Sequence, residues 1–239
     1  MTNPPLPQNQ GPRSRGFTYA LWGAALAGTL LLAACSSTPA PPAWQGDAKD
    51  SLERANAAFL EGNTRVALAE MTRVRRAISG TGRADWLAHA ELAHCAARTA
   101  SLVLGTCSAF DALRTDATRA QHAYADYLSA KTTPETLALL PAAQQPVAAQ
   151  TSSDATALSG ITNPLSRLVG AAVLLQKGQA SPPVIELAID TASQQGWRRP
   201  LLAWLGVQTQ RAEQAGDGVE VDRLRRRMAL VESSTQPAR

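Results

Sequence analysis

Three cysteines, three histidines and one dense run of arginines are the groups in this 239-residue chain most able to bind, react or titrate. The zinc-binding helix pattern His-Glu-x-x-His sets its two histidines four residues apart on one face. His89 and His94, with Glu91 between them, are five apart, and at about 100° per residue they diverge by roughly 140°. They predict solvent-facing histidines on an alanine-rich helix and no metal site. His122 has no serine or carboxylate companion at a recognised catalytic spacing. There is no Gly-x-Ser-x-Gly, no Ser-x-x-Lys and no glycine loop that could cradle a phosphate. Arg223, Arg225, Arg226 and Arg227, preceded by Arg198 and Arg199, form the densest positive run. Such a run meets acidic headgroups or an acidic partner, or is simply the solvated side of a helix whose Val221, Leu224 and Met228 point inward. Trp197 and Trp204 are seven apart, and Tyr124 and Tyr127 three apart, spacings that place each pair on one helical face as core.

The elements that must position these groups are helices. The composition is 45% hydrophobic and 18% charged, globular rather than disordered. Runs of Val, Ile, Thr or aromatic residues alternating with polar ones are few, so strands are poorly supported. The net charge is +4. Residues 1–34 contribute Arg13 and Arg15 and no acid, so of 23 basic residues 21 remain against 19 acidic ones beyond them, a net +2. That balance does not argue for a nucleic-acid partner.

Arg13 and Arg15 precede an uncharged apolar stretch from Phe17 to Ala34, the order of parts in a secretory signal peptide. The stretch ends in Leu32-Ala33-Ala34-Cys35, which resembles the lipobox of bacterial lipoproteins. The resemblance implies that Leu32, Ala33 and Ala34 are recognised by the signal peptidase, that 1–34 is removed, and that Cys35 receives diacylglycerol. It implies a covalent lipid and calls for no cofactor. Residues 35–46, with Ser36-Ser37-Thr38-Pro39-Ala40-Pro41-Pro42, read as an extended tether that packs no core. Ser36 stands where an Asp would imply inner-membrane retention, so the resemblance favours the outer membrane, facing the periplasm. With Cys35 lipidated, Cys95 and Cys107 are the remaining thiols, and an even pair in an exported chain suggests a disulfide. The bond is feasible if the helix carrying Cys95 ends early and Leu104-Gly105-Thr106 folds back. If the helix stays regular to Leu104, the two remain buried free cysteines.

From Gln45 onward, helix punctuation recurs. The spacing predicts helices over Asp47 to Gly62, Thr64 to Gly80 and Asp85 to Val103. Shorter ones follow near 108–115, 117–130 and 134–140, and then an Ala/Gln loop with Pro141 and Pro146. Asn163-Pro164 and Arg199-Pro200 each open a helix, 36 residues apart. Pro164-Leu165 and Leu168-Val169-Gly170 align with Pro200-Leu201 and Trp204-Leu205-Gly206, with a glycine where a neighbour passes closely. Return helices follow Ser181-Pro182 and Gly216-Asp217. In the first pair, Gly62-Asn63, Ala67, Met71 and Val74, with Ala55 and Ala58 before them, resemble the spacing of tetratricopeptide repeats. The departures are Ser79 for the terminal proline, Met71 for a large aromatic, and an insertion before the second pair's return helix. The resemblance covers 45–82 and 163–232 and implies an α-solenoid with a curved surface.

The sequence therefore predicts an all-α protein of antiparallel helix pairs, either a tetratricopeptide-like solenoid or an irregular helical bundle. Residues 47–150 form an N-terminal helical region, 151–232 a C-terminal helical repeat region and 233–239 a disordered tail. The expected role is a non-enzymatic scaffold, held to the membrane by its N-terminal lipid and binding an envelope protein. The alternatives are an enzyme or ligand binder acting on peptidoglycan or lipid, with His122, Asp126 or the arginines in a pocket, and a structural lipoprotein without a specific partner.

Overall fold

An apolar residue at every third or fourth position on an alanine-rich chain leaves helix as the one arrangement that buries a continuous stripe. In the computed structural model, which describes residues 42–234, all regular structure among the described residues is helical. Leu32, Ala33, Ala34 and Cys35 lie outside the described residues, as do the rest of 1–41 and residues 235–239. No helix among the described residues is long and apolar enough to cross a membrane.

Helices α1 (Ala43–Leu60) and α2 (Thr64–Ser79) form an antiparallel hairpin. Gly62 takes a φ of +91° at the turn, a region other residues avoid. The Asn63 side chain then caps α2 by accepting from the Val66 N–H at 3.2 Å. Helix α1 begins inside the stretch expected to be tether, four residues before Asp47. No side chain caps it there. Instead Trp44, in the first turn, meets Trp86 edge-on with ring centroids 5.2 Å apart. Ala55, Ala58, Ala67, Met71 and Val74 are all buried.

Helix α3 (Ala84–Ala100) packs against both, but it stops three residues short of the expected Val103. Leu102 adopts a φ of +56° and Gly105 one of +131°, so the chain reverses. Cys107 is thereby brought to Cys95, where the two form a disulfide with Cα atoms 5.7 Å apart. The middle of the chain is a run of short pieces: α4 (Ser108–Asp111), a 3-10 turn at Arg114–Asp116, α5 (Arg119–Leu128), a 3-10 segment at Pro134–Leu139, α6 (Gln145–Ala149) and α7 (Thr156–Ser159). Pro146, expected in a loop, sits instead in the first turn of α6, where its missing N–H costs nothing.

Four longer helices complete the chain: α8 (Pro164–Gln176), α9 (Pro182–Gln194), α10 (Arg198–Gln214) and α11 (Gly218–Ser233). Ser233, expected in the tail, ends α11. Each packs against the next, and α8 also packs along α3. One hydrophobic cluster runs from Ala88 through Tyr127 and Leu168 to Leu224, so the two expected regions are joined by a common core, while the first hairpin contributes two smaller clusters. The start of α10 also reaches back to the first hairpin. Arg198 donates to the Glu61 carbonyl at 2.5 and 2.8 Å, and Arg199 donates to the Phe59 carbonyl at 2.7 Å and to Thr64 Oγ1 at 2.7 Å. Two guanidinium groups thus bind carbonyls at the partly negative C-terminal end of α1, of which Phe59 also accepts from the Gly62 N–H at 3.0 Å.

Candidate functional site

The groups singled out from the sequence end in different places. Glu91 is buried and receives two bonds from Arg75, at 2.6 and 3.0 Å. That pairing raises the Arg75 pKa, with the hydrogen bond the larger cause. The His94 Nδ1 faces Asn56 Oδ1 at 3.0 Å, and its ring meets the Phe59 edge with centroids 5.3 Å apart. Burial lowers the His94 pKa, which favours the neutral imidazole, and with Asn56 Oδ1 as the acceptor it is Nδ1–H that donates. His89 points elsewhere and is exposed. Among the described residues, no group of three or more His, Cys, Asp and Glu is placed to hold a metal ion. His122 Nε2 donates to the Arg114 carbonyl at 2.8 Å, while Asp126 pairs with the Arg114 guanidinium at 3.4 Å. The two side chains therefore serve the turn between α4 and α5.

The arginine run divides. Arg223 is held by Glu220 through two bonds of 2.6 Å, and Arg225 by Glu213 at 2.8 Å. Arg226 and Arg227 have no carboxylate within ion-pair distance among the described residues. Trp204 is fully buried and donates Nε1–H to the Ala100 carbonyl at 3.3 Å. Tyr127 is likewise fully buried and donates to Gln144 Oε1 at 2.5 Å; the Gln144 amide in turn donates to the Ser166 carbonyl at 2.9 Å. This chain of bonds ties α5 to α6 and α8.

The concave feature the sequence reading did not find is a two-lobed groove along α1 and α3. One lobe, about 450 Å³, lies between α3, α5 and α8 and is floored by Leu92, Ala96, Leu140, Leu165 and Val169. The other, about 400 Å³, lies between α1 and α3 and is walled by Leu52, Ile78, Trp86 and Ala90. Both volumes fall within the range of ligand pockets. His89 borders both lobes. The space exists because small residues, Ala93, Ala96 and Ala120, stand where larger ones would fill it.

Few polar groups face this space. Asn56, its oxygen engaged by His94, still has amide hydrogens to offer. The Tyr124 hydroxyl makes no hydrogen bond to any described residue, and its ring stacks on Tyr127 at 6.2 Å. Burial pushes its pKa up to about 12, so it remains a neutral hydroxyl that both donates and accepts. Burial also raises the pKa of Tyr127, with the neighbouring Tyr124 adding to it. Lys49, beside Glu53 at 3.8 Å, is the one charged residue on either wall. Comparisons of the chain with family models, with curated proteins and with solved structures find no match.

Proposed function

We propose that this chain is an envelope lipoprotein, anchored through lipid on Cys35 and acting without catalysis as a scaffold that binds another envelope protein. The observation that carries the reading is the groove. Its first lobe is preformed between helices of the main core and its second against the separate cluster of the first hairpin, and a preformed groove lowers the ordering cost of binding. Its walls are mainly apolar, with hydrogen-bonding groups at intervals, which suits a protein segment. The lipobox-like Leu32-Ala33-Ala34-Cys35 supports the anchor, and Ser36 supports outer-membrane placement facing the periplasm.

The test is an in-cell crosslink and affinity purification of the tagged protein beside a Cys35→Ala form. One envelope protein recovered in near-equal amount with the anchored form is expected. Recovery of abundant envelope proteins alone, equally from both forms, would sink the scaffold reading.

A further inference from the structure

The first hairpin sits apart from the main core. Its buried residues form two small clusters, and the buried members these take from outside the hairpin are Ala90 and Ala97 of α3, flanked by the partly buried Leu87, Leu165 and Trp197. Two alanine side chains bury little apolar area, so polar contacts carry much of the attachment. Arg75 of α2 binds Glu91, Asn56 of α1 faces His94, and Arg198 and Arg199 hold the end of α1. Residues 80–83, which join α2 to α3, are all exposed and include Gly80 and Gly82, the latter with a φ of +69°. Such a linker gives the hairpin a pivot.

One of these contacts involves the side chain that ordinarily titrates near neutral pH. His94 lies between α1 and α3, with Nδ1 on Asn56 Oδ1 at 3.0 Å and its ring against the Phe59 edge. These two groups, with which α1 meets it, are neutral. Arg75 from α2 and Arg98 on α3 oppose a positive charge there, and Arg199 of α10 lies over the same Phe59 ring. Glu91 favours the charge, but Arg75 already binds both its oxygens. Burial is the largest influence and acts in the same sense as the arginines, so the docked imidazole takes up a proton less readily than a free one. Docking is therefore supported above the ordinary histidine pKa of about 6.5 and loses that support as the pH falls below it.

We infer that the α1–α2 hairpin is an acid-released latch: when His94 is protonated the hairpin undocks from α3 and pivots about residues 80–83. Opening uncovers the face of α3 that carries Ala90, His94 and Ala97. On the anchored reading the tether enters at α1, so the hairpin stays with the membrane while the rest of the molecule swings away from it. The latch itself needs no lipid, and its failure would leave the scaffold reading standing.

Hydrogen exchange of the full-length protein, read by mass spectrometry at pH 7.5 and 5.5 and divided by the intrinsic amide rates, gives the opening equilibrium of each helix. Amides of α1 and α2 are expected to open about tenfold or more as often as those of α8 at both pH values. Their opening should rise about threefold or more at the lower pH. His94→Gln keeps a neutral donor for Asn56 and should remove the rise. His89→Gln, on the exposed side of the same helix, should leave it intact. Asn56→Asp gives the protonated imidazole a carboxylate partner and should flatten or reverse the rise, which keeps the inference open to test even if His94→Gln fails to fold. Hairpin opening that does not change with pH overturns the inference, and so does a rise that survives in His94→Gln. Equal opening of the hairpin and α8 also overturns it, because the molecule then unfolds only as a whole and has no hinge at residues 80–83.

Discussion

Helices α8 and α10 open on a similar apolar pattern and meet different surroundings. Leu168 and Val169 align with Trp204 and Leu205, and all four are buried. The next aligned pair diverges. A Cβ on Gly170 would stand 2.7 Å from a Leu158 methyl, with Gln144 and Val147 at 3.4 Å, whereas a Cβ on Gly206 would meet nothing within 4 Å. The helix starts diverge as well. Asn163 caps its own helix, accepting from the Ser166 N–H at 2.8 Å, while the aligned Arg199 reaches across to Phe59 and Thr64 of the first hairpin. A repeat in sequence fixes which face of a helix is buried. What lies against that face depends on neighbours that do not repeat: α6 and α7 beside α8, and the α1 end beside α10.

The sharpest way to break this comparison is at Trp204. Its side chain is the largest fully buried one, and its indole N–H is bound to the Ala100 carbonyl. Trp204→Ala should lower the free energy of unfolding by about 4 kcal/mol in urea titrations. Leu168→Ala, at the aligned position, should cost less, because Leu168 leaves a smaller cavity and no carbonyl loses a partner. Equal losses would mean that α10 is held no differently from α8.

The glycine of α8 comes next. Gly170→Leu must displace Leu158 and crowd the Gln144 bridge between Tyr127 and Ser166, and overpacking of this kind costs about 1–3 kcal/mol. Thermal melts of this variant beside Leu158→Ala/Gly170→Leu separate the two effects. Partial recovery in the double variant is expected if steric crowding is the cause.

Helix type and the main helix pairs were legible, because apolar period and punctuation are local properties. The end of α3 was left open: Gly105 announced a reversal, but where the helix stops turns on Leu102 adopting a left-handed φ, which no local signal gave. The start of α1 was hidden for a related reason: a tertiary contact between Trp44 and Trp86 replaces the side-chain cap a sequence reading looks for. The groove was illegible because its lobes combine residues from α1, α3, α5 and α8, far apart in the chain. Nor could composition separate the arginines. Arg198 and Arg199 bind carbonyls of α1, and Arg223 and Arg225 bind glutamates, so of a run that reads as one positive patch Arg226 is left exposed and Arg227 half-buried beside Glu186 and Asp190.

That division among arginines gives a smaller effect. Arg199 donates two bonds and lies over the Phe59 ring, 4.2 Å from its centroid. Arg199→Ala should cost about 1–2 kcal/mol, the usual worth of hydrogen bonds from a charged group to neutral acceptors together with a cation–π contact. Arg226→Ala should stay within about 0.5 kcal/mol. Chemical denaturation of both variants measures the contrast directly. A loss at Arg226 as large as at Arg199 would show that the Arg226 side chain makes a stabilising contact of its own.

The smallest effect has the opposite sign. Gly206 lies in the interior of α10 with no atom close enough to exclude a methyl group, so alanine there meets no clash and restricts the unfolded chain. Gly206→Ala should therefore raise stability by roughly 0.5–1 kcal/mol, read as a higher melting temperature, while Gly170→Ala should not. A glycine kept in an open helix interior is either neutral drift within a repeat or a place where something else approaches. If Gly206→Ala stabilises the isolated protein but weakens capture of the partner in cells, the second holds, and the partner reaches α10 as well as the groove. If it stabilises the protein and leaves capture unchanged, the glycine is a remnant of the repeat, and the difference between α8 and α10 is one of packing alone.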